Sequence, residues 1–152
     1  MKIIKVHINK FRGFHDQEFE VGSLLTAIAG QNGTQKSTLL GMITQTFSIP
    51  KENPMNGEKP LCGGTYRSAF SDKFRLSPTF DKPKDHEWTL FFDDGKQFEI
   101  ESIIRPGDDN VRFWRKGSRQ KGDGYIQFPT IFLSLKRLIP LAEENTIKTN
   151  DA

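Results

Sequence analysis

The chain has 152 residues, of which 35% are hydrophobic and 27% are charged. This length is typical of one domain with its own core, and the single cysteine, Cys62, excludes an internal disulfide framework and a multi-cysteine zinc site. A net charge of +3 is too small to indicate a nucleic-acid partner by itself. Apolar runs are far shorter than the roughly 18 residues that cross a membrane, and residues 1–7 do not resemble a secretory leader, so we expect a cytoplasmic protein without membrane contact.

The first 21 residues predict two strands. Residues 2–11 alternate between apolar and polar side chains, which is typical of a half-buried strand. The apolar members are Ile4, Val6 and Ile8. We expect a turn over 13–17 and a short second strand over 18–21, with Phe19 and Val21 facing inward.

A buried strand and a helix are predicted next. Residues 24–29 are apolar on both faces, which predicts a central strand covered on both sides. From 36 to about 47 the period becomes helical, with Leu39, Leu40, Ile43 and Phe47 on one stripe. Gly41 lies within this helix, where glycine is costly, so we expect the helix to pack closely on the sheet there.

The remaining sequence predicts an irregular insertion and an antiparallel meander. Residues 48–86 are punctuated by prolines and glycines, and we expect an irregular insertion there within one domain spanning 1–152, either lid-like or a loop anchored by Phe70, Phe74 and Phe80. Residues 88–116 predict three strands, the first two joined by a turn at Asp94–Gly95. Residues 125–135 are apolar on both faces and predict a second central strand, and 136–144 begin a further helix. The fold class is therefore α/β with α+β character: a mixed sheet, an antiparallel meander and one main helix.

The segment between the predicted buried strand and the helix carries a phosphate-binding pattern. Residues 30–37 read Gly-Gln-Asn-Gly-Thr-Gln-Lys-Ser, close to the P-loop pattern G-x-x-x-x-G-K-[ST]. Backbone N–H groups of such a loop, together with the helix N-terminus, bind phosphate oxygens. Lys36 is expected to reach the β- and γ-phosphates and Ser37 to ligate Mg²⁺. The predicted nucleotide-binding residues are Arg12, Gly30, Asn32, Gly33, Thr34, Gln35, Lys36, Ser37 and Thr38.

One position departs from the pattern: Gln35 stands where the P-loop has its second glycine. A side chain there either crowds the phosphate or requires a backbone angle that costs about 1–3 kcal/mol. Two alternatives therefore remain open, a working ATP site and a degenerate loop that keeps the fold but binds nucleotide poorly. If the loop is degenerate, Gln35→Gly is expected to restore some affinity.

The opening of the chain resembles the heads of SMC/RecF-like ABC ATPases. The resemblance rests on Phe11-Arg12-Gly13-Phe14, on Phe19, and on residues 28–40, in particular Asn32 and Thr38-Leu39-Leu40. Lys10 and Gln35 replace the asparagine and the glycine that are usual in that family. The close match covers about the first 43 residues.

This resemblance implies one lobe of an ABC-type ATPase head that binds ATP and Mg²⁺ and works in DNA maintenance or DNA-linked defence. It also implies that Arg12 lies near the phosphates and that a glutamine, for which Gln127 is the candidate, senses the metal and the attacking water. The sequence has no Walker B strand ending in Asp-Glu and no signature segment. We therefore expect a C-terminal lobe or a second head to complete the site, and no useful ATP turnover by this chain alone.

Other groups in the sequence give weaker signals. Basic residues beside Phe113 and Trp114 predict a DNA contact through Arg112, Arg115, Lys116 and Arg119, against the simpler interpretation of a solvated hairpin tip. The three histidines share no metal-ligand spacing, and each is interpreted as an isolated surface or packing residue. A non-hydrolysing nucleic-acid-binding or assembly module remains the alternative function. An unrelated P-loop kinase or GTPase is disfavoured because those folds alternate parallel strands with helices.

Overall fold

A computed structural model describes residues 1–59, 73–74, 76–77, 79–82, 85–104, 111–117 and 125–132, without the side chains of residues 104, 111 and 112. The strands there are β1 (Ile3–Phe11), β2 (Phe14–Glu20), β3 (Phe47–Ser48), β4 (Glu87–Phe92), β5 (Gln97–Ile104), β6 (Val111–Arg115) and β7 (Ile126–Gln127). The main helix is α1 (Lys36–Gln45). The mixed α/β class predicted from the sequence is confirmed.

A five-stranded antiparallel sheet, in the order β2-β1-β4-β5-β6, forms most of the described structure. The predicted meander is confirmed, since β4 pairs with β5 and β5 with β6. The β4–β5 turn contains Asp94 and Gly95, and Gly95 has a φ of 78°, a left-handed angle that glycine adopts without strain. β1 lies between β2 and β4, so the N-terminal strand is central to the sheet.

An aromatic cluster forms the centre of the core. Phe11, Trp88 and Phe113 come from β1, β4 and β6, and their rings pack with centroids 5.0–5.7 Å apart. The other fully buried apolar side chains are Val6, Ile8, Met42 and Leu90. Because these residues come from three strands and the helix, the core joins the sheet to α1.

Ile4 does not belong to this core, contrary to the predicted alternation. It is 48% exposed, whereas Ile3 packs against the core. The pairing of β1 with β4 shifts between Ile3 and Lys5 and again between Ile8 and Lys10. An irregularity of this kind changes which side of the strand faces inward, and the second shift returns the odd-numbered Phe11 to the core.

The predicted turn over 13–17 is also wrong. The chain reverses at Arg12 and Gly13, and β2 begins at Phe14, which pairs with Phe11. Arg12 has a φ of 52°, so a non-glycine residue takes the left-handed position of this tight turn. Phe19 and Val21 contact the core as expected.

Residues 24–29 do not form the predicted central strand. They have no regular secondary structure, and Leu24 and Leu25 are 95% and 85% exposed. A strand that is apolar on both faces needs hydrogen-bonded neighbours and cover on both sides. Among the described residues, the strands pair with one another in a five-stranded and a two-stranded sheet, and none of them pairs with residues 24–29. Ile28 is half-buried and packs against the core.

The helix is shorter than predicted, and of its predicted stripe Leu39, Ile43 and Phe47 pack on the core whereas Leu40 does not. It ends at Gln45 rather than near 47, and its buried side chains include Leu39 and Met42, whereas Leu40 is 45% exposed. Adjacent positions lie about 100° apart around a helix, so Leu39 and Leu40 cannot both point at the centre of the core. The chain does pack closely at Gly41, where a Cβ atom would lie 3.0 Å from the ring of Phe74, but this neighbour lies outside the strands, so the expected packing of the helix on the sheet at Gly41 is wrong.

The second predicted central strand, residues 125–135, is reduced to β7. It pairs in parallel with β3 only, and Phe128 and Ile131 are about half exposed. Residues 133–135, the helix predicted over 136–144 and most of the insertion between 60 and 84 lie outside the described residues.

Candidate phosphate-binding site

The loop over residues 30–35 is an exposed segment held by contacts with its own backbone. Thr34 donates its hydroxyl to the carbonyl oxygen of Gln31 at 2.8 Å. The Lys36 ammonium donates to the carbonyl oxygens of Gly30 at 2.8 Å and Gln31 at 2.6 Å. The lysine therefore lies across the mouth of the loop, and its contact with phosphate stays a prediction. Asn32 and Gly33 are exposed at the tip, and Gly33 has a φ of 85°.

Gln35 occupies the helix N-cap in a left-handed conformation, with φ 61° and ψ 22°. Glycine normally takes this backbone angle, so the substitution keeps the loop geometry and places the strain on Gln35. Its side chain lies against the β1–β2 turn: Oε1 accepts the Gly13 N–H at 3.4 Å, and a Cβ on Gly13 would overlap Nε2. The Gln35 side chain is thus engaged with Gly13, and whether the loop binds nucleotide stays a prediction.

The N-terminus of α1 presents donors suited to an anion. The N–H groups of the first turn have no carbonyl partner within a helix, and the first hydrogen bond of this type runs from Leu39 N–H to Gln35 O at 3.1 Å. The Gln35 side chain does not cap the helix, and the first turn of the described helix carries no acidic side chain. Ser37 is exposed there, whereas Thr38 is buried. The helix dipole and the Lys36 charge therefore favour phosphate at this end.

Arg12 reaches the same helix end from the neighbouring turn. Its Nη1 lies 3.5 Å from Thr38 Oγ1, and its Nε lies 3.6 Å from the Asp81 carboxylate. The turn that carries Arg12 therefore contacts the phosphate-binding segment twice, through Thr38 and through Gln35. Arg12 thus lies beside the start of α1, and its role at the phosphates stays a prediction.

A buried polar chain behind Arg12 was missed by the sequence interpretation. Asp81 Oδ1 lies 3.3 Å from His86 Nε2, and His86 Nδ1 lies 3.1 Å from Ser102 Oγ. Burial lowers the pKa of His86 below its ordinary value of 6.5, although Asp81 opposes this shift. Burial by itself would raise the pKa of Asp81, but hydrogen bonds from the Ser77 N–H and from His86, with the charge of Arg12, lower it overall.

One of these residues had a signal in the sequence. Counting back by two from Trp88 and Leu90 places His86 on the buried face of the same strand pattern. His86 is a packing residue, as interpreted, because its ring lies 4.7 Å from that of Phe11. It also makes polar contacts through both nitrogens. Asp81 had no such signal, since it lies in an irregular segment without period.

Comparison with known proteins assigns the family. A family model described as an AAA domain matches residues 5–149. The chain belongs to this family of AAA-domain proteins. It is therefore a P-loop domain of the ATP-binding, ATPase-like type, as the loop over 30–37 indicates. Neither a curated protein nor a solved structure matches the chain.

The predicted DNA-contacting residues are only partly described. Lys116 pairs with Glu87 at 2.6 Å and with Glu99 at 3.6 Å, and the hydrogen bond that its ammonium donates to Glu87 raises the pKa of Lys116. Arg115 lies over the ring of Phe98 at 5.0 Å. The Arg112 side chain and the whole of Arg119 lie outside the described residues. A DNA contact through this cluster stays a prediction.

Two further predictions concern metal sensing and membranes. Gln127 lies in β7, which pairs with β3, the short strand that follows α1. Its role as a sensor of the metal stays a prediction. Among the described residues, no group of three or more His, Cys, Asp or Glu side chains is placed to hold a metal ion. No helix in that part of the chain is long and apolar enough to span a membrane.

Proposed function

We propose that this domain binds Mg-ATP at residues 30–38 and is one lobe of an SMC/RecF-like ATPase head. The observation that carries the proposal is the set of cationic and N–H donor groups at the loop and at the helix start that follows it. Lys36 spans the loop mouth, Arg12 lies 3.5 Å from Thr38 in the first turn of α1, and the N–H groups of that turn have no carbonyl partner within the helix. These donors fit the triphosphate of a nucleotide. A bound Mg²⁺ would neutralise phosphate charge, with Ser37 as its protein ligand.

Calorimetric titration with Mg-ATP tests this proposal. Lys36→Ala removes the charge that faces the terminal phosphates, so we expect binding to be lost. Lys51→Ala is the matched control, because Lys51 is an exposed lysine outside the loop. Arg12→Ala should weaken binding less than Lys36→Ala. No heat from the wild-type chain at millimolar nucleotide, or equal binding by the two lysine variants, would contradict the proposal and favour the degenerate-loop alternative.

Hydrolysis is proposed to need groups that this sequence lacks. Phosphoryl transfer depends on positioning and on charge stabilisation, and neither a Walker B carboxylate nor a signature segment occurs in the sequence. Each missing group of this kind costs a factor of about 10²–10³. We therefore expect phosphate release by the purified chain to equal that of Lys36→Ala at background. Turnover of about 1 s⁻¹ that disappears in the variant would overturn this expectation.

The biological setting is proposed from the resemblance. SMC/RecF-like heads act in DNA maintenance and DNA-linked defence, and a C-terminal lobe or a second head would then complete the site. The basic residues near β6 would add weak, non-specific affinity for DNA. Fluorescence anisotropy with labelled duplex and single-stranded DNA at low salt tests the last point, and undetectable affinity for both would remove it.

A further inference from the structure

The Arg12 guanidinium is held between two partners at the edge of the phosphate-binding loop. Its Nε faces Asp81 Oδ1 at 3.6 Å and its Nη1 faces Thr38 Oγ1 at 3.5 Å. Arginine is long and flexible, and a guanidinium binds phosphate well only when its planar fork is correctly aligned. Two contacts at different nitrogens fix both the reach and the plane of this fork.

The Asp81 carboxylate is itself fixed from the other side. Its side chain is only 10% exposed, its Oδ2 accepts the Ser77 N–H at 2.6 Å, and its Oδ1 also contacts His86 Nε2. Asp81 N–H in turn donates to the Ser77 carbonyl at 2.8 Å. The carboxylate therefore cannot rotate to follow Arg12, and it is Arg12 that must conform to Asp81.

His86 and Ser102 complete the chain in one consistent direction. An ionised carboxylate accepts hydrogen bonds only, so His86 must carry its proton on Nε2 and donate it to Asp81. His86 Nδ1 is then an acceptor, and the Ser102 hydroxyl donates to it. Both His86 and Ser102 are 1% exposed within the core beneath the sheet. Two contacts, from Asp81 to His86 and from His86 to Ser102, thus connect the partner of Arg12 to the buried core.

We propose that Asp81, backed by His86 and Ser102, is a positioning residue that aims Arg12 at the phosphates bound at the N-terminus of α1. The inference rests on the proposed nucleotide binding and deepens it. Asp81 does not touch the ligand; it acts through Arg12. Removing its charge while keeping its shape should therefore weaken nucleotide binding only while Arg12 is present.

A double-mutant cycle on Mg-ATP affinity tests the proposal. We expect Asp81→Asn to weaken binding by about 5- to 30-fold, because the charge that orients Arg12 is lost. In the Arg12→Ala background the same change should have an effect below about twofold. Asp85→Asn is the matched control, because Asp85 pairs with Lys10 at 2.7 Å, outside this chain of contacts. Equal losses from Asp81→Asn in both backgrounds, or wild-type affinity in that variant, would overturn the proposal.

Two further measurements separate this inference from folding and from the proposed function. Arg12→Lys keeps the charge but cannot contact both partners, so it should bind Mg-ATP nearly as weakly as Arg12→Ala; wild-type affinity would contradict the proposal even if Asp81→Asn fails to fold. The Arg12 Nε–H resonance in NMR needs no nucleotide. It should be protected from solvent exchange in the wild type and lose that protection in Asp81→Asn, and an unchanged resonance would contradict the positioning role. Lys36→Ala, titrated in parallel, reports failure of nucleotide binding itself.

Discussion

The five-stranded sheet and the segment 22–35 both carry apolar side chains but bury them very differently. Val6, Ile8 and Leu90 are fully buried in the sheet, whereas Leu24 is 95% exposed. Each strand of the sheet obtains cover from its neighbours and from α1. The segment 22–35 is held instead by local polar contacts, such as Gly22 N–H to Thr26 Oγ1 at 2.8 Å. The five-stranded sheet is therefore stabilised by burial of apolar side chains, whereas the conformation of the segment 22–35 is fixed mainly by local hydrogen bonds.

The two regions meet at the β1–β2 turn. Phe11 is buried in the aromatic cluster, the next residue, Arg12, contacts Thr38 at the start of α1, and the Gly13 N–H donates to Gln35 Oε1. A single peptide unit thus connects the most rigid part of the core to the candidate phosphate site. This connection explains how an exposed loop that buries few apolar side chains can still keep a fixed contact with the β1–β2 turn.

The largest expected effect is the contrast between a buried and an exposed apolar side chain. Phe11→Ala should lower the free energy of unfolding by about 3–5 kcal/mol, because it removes a ring packed against Phe74, Trp88 and Phe113. Leu24→Ala should change it by no more than about 0.5 kcal/mol. Urea unfolding followed by tryptophan fluorescence measures both. A comparable loss from Leu24→Ala would show that this segment is buried.

The next effect is a dependence of stability on pH at the boundary between the two regions. The pKa of His86 is lowered by burial from 6.5, so the unfolded chain binds more protons than the folded chain below about pH 6.5. The free energy of unfolding should therefore fall as the pH drops through this range. The lowered pKa of Asp81 adds a loss of the same sign below its ordinary value of 3.8.

Urea titrations at several pH values between 7.5 and 5 test this prediction, with His86→Gln as the comparison. Glutamine keeps polar atoms at this position but does not titrate. The variant should be less stable at pH 7.5 and should lose much of the slope seen in the wild type. Parallel slopes in the two proteins would show that other groups cause the pH dependence.

A smaller effect on the free energy of unfolding should distinguish the contribution of the backbone angle at residue 35 from that of its side chain. Gln35 has a left-handed φ of 61°, which costs an L-residue roughly 1–2 kcal/mol. Gln35→Ala keeps that cost and loses the contact with Gly13, whereas Gln35→Gly loses the contact but removes the strain. We therefore expect the glycine variant to be the more stable of the two by about 1 kcal/mol in thermal or urea unfolding. Equal stabilities would mean that the backbone at residue 35 is not strained.

The smallest effect is expected on the sheet side, at the basic residues near β6. Lys116 is paired with Glu87 and Glu99, so Lys116→Ala alone should leave any DNA affinity and its salt dependence nearly unchanged. Changing Arg115, Lys116 and Arg119 together should lower both. Anisotropy titrations at several salt concentrations distinguish the two variants. A full loss from the single change would show that Lys116 contacts DNA despite its acidic partners.

The sequence by itself determined the meander, the helix start and the phosphate-binding pattern. Alternation in β4 and β5 and the Asp94–Gly95 turn require only neighbours that are close along the chain. The loop pattern ending in Lys36 and Ser37 is likewise local, and the family assignment agrees with it. Features that depend on short-range backbone geometry could therefore be predicted.

Only the tertiary structure decided which apolar segments are covered and what holds Arg12. Residues 24–29 have the composition of a buried strand, but a strand forms only where partners are supplied from distant parts of the chain. Leu40 is exposed because the orientation of α1 about its own axis turns Leu39, not Leu40, toward the core. Ile4 is exposed because the irregular pairing of β1 with β4 changes which side of the strand faces inward. The contacts of Asp81 with Arg12 and His86 join residues from the β1–β2 turn, an irregular segment and the start of β4. No local pattern encodes such a meeting, since it depends on how the elements pack in three dimensions.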